Sequence, residues 1–405
     1  MEEKKVIAVI GGGAAGFFGA IAAAEGDPAA RVVLIEKNRQ LLSKVRVSGG
    51  GRCNVTHSCF DPAVLVQNYP RGGKELRGAF SRFQPRDTVN WFESRGVSLK
   101  TEGDGRMFPV TDSSETIISC LMREAKSAGV EIKTECGVVD CKKGERFHLY
   151  LSNGEELACH KILVATGSSP KTGAWLETFG HTLNPPVPSL FTFNVPSSPF
   201  LSLSGVSVPK AKLSIDSCAL QQTGPLLITH WGFSGPAVLK LSAWGARALH
   251  ALDYHADLKI NWLPDHSQDD LKAIFMECRQ RNSAKAAGTE CPFSLPKSLW
   301  KVMLDLSGIP QETRWAVLSK VQLNELLITL QSRTYPIEGK STNKEEFVTC
   351  GGVRLDEVDF KTMESRKCPG LYFAGEVLDI DGVTGGFNFQ NAWTTSWLAG
   401  QAMAR

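Results

Sequence analysis

Val6-Ile7-Ala8-Val9-Ile10 runs straight into Gly11-Gly12-Gly13-Ala14-Ala15-Gly16, and the reading of this stretch decides the fold. A short, unbroken apolar run rich in β-branched residues that stops at glycine reads as a parallel strand buried on both faces. The glycines that follow have the G-x-G-x-x-G spacing of a dinucleotide turn. Gly11 permits the sharp turn, Gly13 lets the backbone approach a pyrophosphate, and Gly16 lets the next helix pack closely on the strand. A small-residue helix through Ala24 and a second strand, Arg31-Val32-Val33-Leu34-Ile35, complete a βαβ unit. Glu36 at the end of that strand suits a ribose hydroxyl pair and would repel a 2′-phosphate. A plain structural turn followed by a surface glutamate is the competing reading. It has to reproduce strand, motif, helix, strand and acid in this order by chance.

Outward from this unit, the chain of 405 residues is longer than one hydrophobic core usually organises, so two or more domains are expected. Its 45 basic and 42 acidic residues nearly cancel, and the formal charge of +3 gives no global signal for nucleic acid or membrane. The eleven cysteines form no C-x-x-C pair and no zinc-like spacing, so they read as reduced thiols and no metal is expected. The start carries no signal-peptide cleavage pattern, and no run approaches the length of a membrane span. A cytoplasmic protein without membrane contact is the expectation.

Helical spacing recurs over residues 113 to 128, and short strands with a turn at Ser152-Asn153-Gly154 are expected between 130 and 164. Lys161-Ile162-Leu163-Val164 is another strand running into Ala165-Thr166-Gly167. From about 185 the texture turns proline-rich, then strand-like, then amphipathic-helical around 268 to 281 and 311 to 331. The last sixty or so residues return to the first texture, with Gly370 to Glu376 as a buried strand leading to a glycine-rich loop. The fold class expected is α/β: a Rossmann-type domain over 1–185 and 346–405, interrupted by an insert with a β-rich part (186–262) and a helical part (263–345).

The turn alone does not separate NAD from FAD. A late segment that rejoins the fold does, because extended FAD spans from the first βα turn to a distant strand and helix. Gly375 and Glu376 follow such a strand, and Gly385-Gly386-Phe387-Asn388 would bring backbone to the flavin ring at a helix start, where N–H groups favour the charge of reduced flavin. A glycine-rich helix cap is the plain alternative. Ser48-Gly49-Gly50-Gly51-Arg52-Cys53-Asn54 adds three consecutive glycines, expected where a flat cofactor or a phosphate lies against the chain unless they form a flexible linker.

Together the motifs resemble the BaiN/RdsA-like (HI0933-like, YhiN) family of NAD(P)/FAD-dependent oxidoreductases. The resemblance rests on the first glycine motif, SGGGRCNVT at 48–56, Thr229 to Pro236, Cys350-Gly351-Gly352-Val353, and LYFAGEVLDIDGVTGGFNFQN at 371–391. It covers nearly the whole chain and implies an FAD domain interrupted by an insert. The activities it implies are flavin-dependent reductions of conjugated C=C bonds, in steroid-like bile acid intermediates or in a uracil of ribosomal RNA. The chain departs from the family pattern after Gly167, where Ser168-Ser169-Pro170-Lys171-Thr172-Gly173-Ala174-Trp175 stands. No second G-x-G-x-x-G follows a strand between 151 and 350, so NADH or NADPH is expected only as a transient donor.

The expected cofactor set opens with Gly11, Gly13, Ala14, Ala15, Gly16, Glu36, Lys37 and Lys44. It continues with Ser48, Gly49, Gly50, Gly51, Arg52, Asn54 and Val138, then Ala165, Thr166 and Gly167. Gly375, Glu376, Gly386, Phe387 and Asn388 complete it. Two side chains are candidates for chemistry. Cys53, beside Arg52, is either a thiolate near the flavin or a packing cysteine. His230, beside Trp231 in a glycine- and proline-bounded loop, is either a proton donor or a structural histidine.

Charge is uneven: ten Lys/Arg lie between Lys37 and Arg86 against Asp61 and Glu75, a local balance of +8. This is either a solvated basic face or a track for RNA phosphates, with Arg71, Lys74 and Arg77 as the expected contacts. Three functions stay open at this point: reduction of an activated C=C bond in a small molecule, the same chemistry on ribosomal RNA, and a flavin-binding regulator without turnover.

Overall fold

The computed structural model describes residues 4–341 and 348–405, with the side chains of residues 170–172 outside the description. The expected boundary at 345/346 lies outside the described residues. Contacts divide the chain into two units, one holding residues through Val187 together with the C-terminal segment, the other beginning at Pro188.

The first unit is built on strand β1 (Val6–Ile10), helix α1 (Ala14–Gly26), β2 (Arg31–Ile35), helix α2 (Ser43–Gly51), β3 (Glu131–Lys133), β4 (Lys161–Val164), β5 (Leu371–Phe373) and helix α3 (Phe387–Ala404). Its main sheet has seven strands in the order Val358–Asp359, Glu364–Ser365, β5, β4, β1, β2, β3. The five from β5 to β3 pair in parallel, and the two short edge strands are antiparallel. Burial on both faces explains why β1, β2 and β4 are continuous apolar runs rather than alternating ones.

Two helices with small residues at their interface cover this sheet. In α1, residues Ala15 to Ala24 are all buried. A β-carbon at Gly19 would lie 2.4 Å from Leu163 of β4 and 3.3 Å from Ser396 of α3, and one at Gly400 of α3 would lie 2.6 Å from Ala22. Nothing larger than glycine fits at either position, so the last helix of the chain seats directly on the first. The expected helix near 113 to 128 spans Ser114–Ser127, and the expected turn at Gly154 (φ 85°) joins the strands Phe147–Leu151 and Glu156–Cys159.

The second unit holds a seven-stranded antiparallel sheet, ordered Thr334–Glu338, His255–Asn261, Ser207–Ile215, Leu220–Thr229, Gly232–Ser234, Thr192–Asn194, Lys340–Ser341. Its first and last strands are separated only by Gly339, whose carbonyl accepts from Asn194 N–H at 3.0 Å, so the sheet closes on itself. These two strands lie within the stretch expected to be helical. Thr334-Tyr335-Pro336-Ile337-Glu338 alternates buried and exposed with period two, and that short signal is easily lost beside a longer helical one. The helix expected over 311 to 331 starts only at Lys320, because Ser319 and Gln322 form a capping box there. Helices Gln268–Arg281, Lys297–Leu306 and Lys320–Gln331 share one apolar core with the sheet, joining Phe200, Phe233, Trp262 and Tyr335 to Leu271, Phe275, Trp300 and Trp315.

Among the described residues, no helix is long and apolar enough to cross a membrane, and no cluster of His, Cys, Asp and Glu has metal-binding geometry.

Candidate cofactor site

The carboxyl ends of β1, β4 and β5 lie side by side, and each runs into one of the expected motifs. A β-carbon at Gly11 (φ 114°) would sit 2.4 Å from the Ala165 carbonyl oxygen, and one at Gly16 would sit 1.8 Å from the Gly11 carbonyl oxygen. These two glycines are steric requirements of the turn. Gly13 differs: a β-carbon there meets nothing within 4 Å. Open space therefore lies in front of Gly13 at the start of α1, where the first-turn N–H groups of Ala14, Ala15 and Gly16 have no intrahelical acceptor. An anion fits this position on both steric and electrostatic grounds.

Glu36 stands at the end of β2 with its carboxylate turned back to the glycines. It accepts from Gly12 N–H at 2.7 Å and from Asn38 N–H at 2.9 Å. Two bonds leave acceptor capacity for a pair of hydroxyls. Lys37 and Val138 belong to the same end of the site, since Gly137 abuts Lys37 and Cys136 N–H donates to the Glu36 carbonyl at 3.1 Å. At the other end, Gly167 (φ 61°) follows β4 and faces the Glu376 carboxylate, and Glu376 is ion-paired with Lys44 of α2. Gly375 touches Ala15 and Ala392, so the starts of α1 and α3 converge on it.

The glycine run ends the right-handed part of α2. Ser48 is extended, and Gly49, Gly50 and Gly51 are all left-handed, with φ of 59°, 68° and 84°. Three consecutive residues in that region strongly favour glycine. Positions 50 and 51 face open space, whereas 49 packs near Phe108 and Asn54. This segment is tied to α3. With its amide oriented to suit both neighbours, Asn54 accepts from Gly386 N–H at 2.9 Å and donates to the Thr56 carbonyl at 3.0 Å. Trp393 Nε1 donates to the Val55 carbonyl at 2.9 Å, and Thr56 donates to Gln390 at 2.6 Å.

Several expected residues have side chains engaged within the protein, which leaves only their backbone for a cofactor at Phe387 and Asn388. The side chain of Asn388 clasps the backbone of Gly382, accepting from its N–H at 2.8 Å and donating to its carbonyl at 3.0 Å. Phe387 is buried, stacked on His57 at 4.8 Å between ring centres. Arg52 binds Glu102 at 2.7 Å and lies over Phe108. Cys53 is fully buried, and burial pushes its thiol up to about 12, so the thiolate reading is corrected: Arg52 spends its charge on Glu102 and Asp112. His230 is exposed at the turn between Leu220–Thr229 and Gly232–Ser234 in the second unit, beside an exposed Trp231.

The basic stretch is less basic in three dimensions than in sequence. Lys44, Arg46, Arg52 and Arg71 pair with Glu376, Glu115, Glu102 and Asp381, all outside the counted window. Arg71 is therefore no phosphate contact. Lys74, Arg77, Arg82 and Arg86 stay exposed on or beside the helices Gly73–Phe80 and Pro85–Glu93, and Arg86 lies over Phe60. The buried partner Asp381 carried no recognisable signal in the sequence, since an acid in a glycine loop reads as solvent-facing.

A second buried cluster lies outside the site. His181 Nδ1 is 2.9 Å from Glu357, its Nε2 is 2.8 Å from the Ser365 hydroxyl, and Lys367 binds Glu357 at 2.7 Å. Burial alone would raise the Glu357 carboxyl, but Lys367, the Thr182 N–H and His181 outweigh it and hold it at about 2. Burial lowers His181 against the opposing pull of Glu357.

Comparison with known proteins agrees with this architecture. A 3-dehydro-bile acid delta(4,6)-reductase of Clostridium scindens is 30% identical, with 98% of each chain covered. A ribosomal RNA dihydrouridine synthase of Escherichia coli is 32% identical over 99% of this chain and 98% of its own. Among solved structures, the 3-ketosteroid delta1-dehydrogenase of Sterolibacterium denitrificans superposes with a TM-score of 0.52 at 12% identity, covering 99% of both chains, a likeness of fold. Residues 5–402 match the HI0933-like protein Rossmann domain, and the chain belongs to the HI0933-like family of FAD-dependent oxidoreductases.

Proposed function

We propose that this chain takes hydride from NADH or NADPH and delivers it, through bound FAD, to an activated C=C bond of a small molecule. FAD supplies the two-electron chemistry, and the chain's residues hold and orient it. The observation that carries the cofactor assignment is the open space at Gly13, bounded by Gly11 and Gly16 that admit no side chain and fronted by first-turn N–H groups that have no intrahelical acceptor. The first turn of α1 would hold the pyrophosphate and Glu36 the ribose, while Gly50, Gly51 and Gly167 leave room for the rest. Backbone N–H groups at the start of α3 would favour negative charge on the ring.

The substrate class is supported by the names of the two relatives, a reductase of a bile acid and a synthase of dihydrouridine, both implying saturation of a double bond. The test is anaerobic. Purified protein should release FAD and not FMN, lose its yellow colour with NADH or NADPH, and regain it with a conjugated enone. Flavin that neither nicotinamide reduces would instead favour a non-catalytic regulator.

Ribosomal RNA is the second reading, favoured by the 32% identical relative and by the exposed Lys74, Arg77, Arg82 and Arg86. If those cations track phosphates, RNA affinity falls steeply with salt, and charge reversal at Lys74 and Arg77 lowers both affinity and salt slope while FAD stays bound. Binding indifferent to these residues would remove the structural support for this reading.

A further inference from the structure

The loop between β5 and α3 is held by an ion pair whose members lie 310 residues apart. The Asp381 carboxylate is fully buried and takes both Nε and Nη2 of Arg71 in a fork. The same two residues also pair through their backbones as an antiparallel bridge. Next to Arg71, Gly72 (φ 80°) lies so close to Ile380 that a β-carbon would come within 2.5 Å of its side chain. On the far side, Val383 N–H donates to the Asn68 carbonyl at 2.9 Å, and Asn388 clasps Gly382. The segment is thus fixed from both flanks up to Gly385 and Gly386, whose φ angles of 133° and 89° turn the chain into α3. Among the described residues, no protein acceptor meets the N–H groups of Phe387 and Asn388 at the start of that helix.

A buried ion pair adds little stability over an apolar pair of the same volume. What a two-bond fork adds is orientation as well as distance. We propose that Arg71 and Asp381 are positioning residues for the flavin: their fork fixes the loop that aims the first N–H groups of α3, and so sets how much more tightly reduced flavin is held than oxidised flavin. The inference rests on the FAD assignment above. The helix-terminus effect acts only within the first turn, so it depends steeply on where that turn points.

The experiment compares wild type, Asp381→Asn, Arg71→Lys and Ser267→Ala as FAD-loaded proteins. Ser267→Ala breaks the capping box of the helix Gln268–Arg281 in the other unit and serves as a destabilised control. Each is measured for thermal unfolding and for flavin midpoint potential by anaerobic dye-coupled titration. Asp381→Asn removes the charge with little change in volume. It should lower the preference for reduced over oxidised FAD about tenfold, a fall of about 30 mV for a two-electron couple. Arg71→Lys, which keeps the charge and loses the fork, should move the potential in the same direction, and it decides the matter if Asp381→Asn does not fold. Ser267→Ala should lower thermal stability with the potential unchanged. A potential equal to wild type in the folded Arg71 and Asp381 variants, with only stability reduced, overturns the proposal. Wild-type protein that takes up no FAD overturns the cofactor assignment itself, a distinguishable failure.

Discussion

Gly13→Ala and Gly16→Ala are the same chemical change three residues apart, and the structure gives them opposite consequences. At position 13 the backbone is extended (φ −93°, ψ −169°), which alanine adopts freely, and the new methyl group meets nothing within 4 Å. Alanine caps a helix slightly worse than glycine but loses less entropy on folding, so the apoprotein should change by less than about 1 kcal/mol. The methyl group instead fills the space assigned to the pyrophosphate. Displacing two charge-assisted hydrogen bonds at about 1.5–3 kcal/mol each weakens FAD by two orders of magnitude or more. At position 16 the methyl carbon falls 1.8 Å from the Gly11 carbonyl oxygen, so α1 must move off the turn. Overpacking of this kind costs roughly 3 kcal/mol, a loss on the order of 10 °C in Tm for a unit of this size. Thermal unfolding of the apoproteins and fluorescence titration with FAD measure the two effects separately. Wild-type FAD affinity in Gly13→Ala would refute the placement of the pyrophosphate, and an unaltered Tm in Gly16→Ala would refute the steric account of the turn.

Glu36 serves the turn as well as the ribose, because its carboxylate takes the Gly12 and Asn38 N–H groups. Glu36→Gln, which keeps one acceptor, should weaken FAD about tenfold and Glu36→Ala on the order of a hundredfold; equal affinity in all three by titration would leave Glu36 without a ribose role. Cys53, buried and with its thiol pushed up to about 12, should resist alkylation at pH 8 in the native protein. Turnover of Cys53→Ala should stay within about twofold of wild type, and a loss far beyond that would restore a chemical role. Glu357 ordinarily titrates near 4.5 and is held at about 2, so its stabilisation is present above pH 4.5 and is lost as pH falls toward 2. His181, lowered by burial, adds a loss that begins as pH drops through 6.5. Glu357→Gln should therefore lower neutral-pH stability by at most about 3 kcal/mol and flatten the acid limb of the Tm profile, and an unchanged acid limb would count against the ion-pair account.

The parts of this site legible in the sequence are those whose chemistry is local. The strand-glycine-helix order around Gly11 to Gly16 depends only on neighbours within one βαβ unit, and so does the acid at the end of β2. The three glycines at 49 to 51 stand out because a run of consecutive left-handed residues strongly favours glycine, although single residues such as Leu42 and Cys53 adopt that backbone here. What escaped was set by partners far along the chain. Arg71 reads as one cation among ten until Asp381 is brought to it, and Arg52 beside Cys53 suggests a thiolate until Glu102 and Asp112 take its charge. The clasp of the Asn388 side chain on Gly382 was likewise illegible, because it exists only once the loop folds back and presents Gly382 to the amide. The strand Thr334–Glu338 was hidden by length, since five residues of period two carry little weight beside a helix of twelve.

The same distance in sequence has a consequence for folding. β5 and α3 come from the last residues of the chain, yet they flank β4 and α1 and bring Gly375 against Ala15. The candidate site is therefore incomplete until the two ends of the chain have met. A ligand that binds only the closed arrangement stabilises it by mass action, about 2.7 kcal/mol at a hundredfold excess over its Kd. That is a sizeable share of the marginal stability of any domain. Cofactor uptake and closure of the N- and C-terminal segments should thus be one linked equilibrium. The tight packing at Gly19 and Gly400, where a β-carbon would meet Ser396 and Ala22, supplies a seam between α1 and α3 that adds to whatever a ligand at Gly13 contributes.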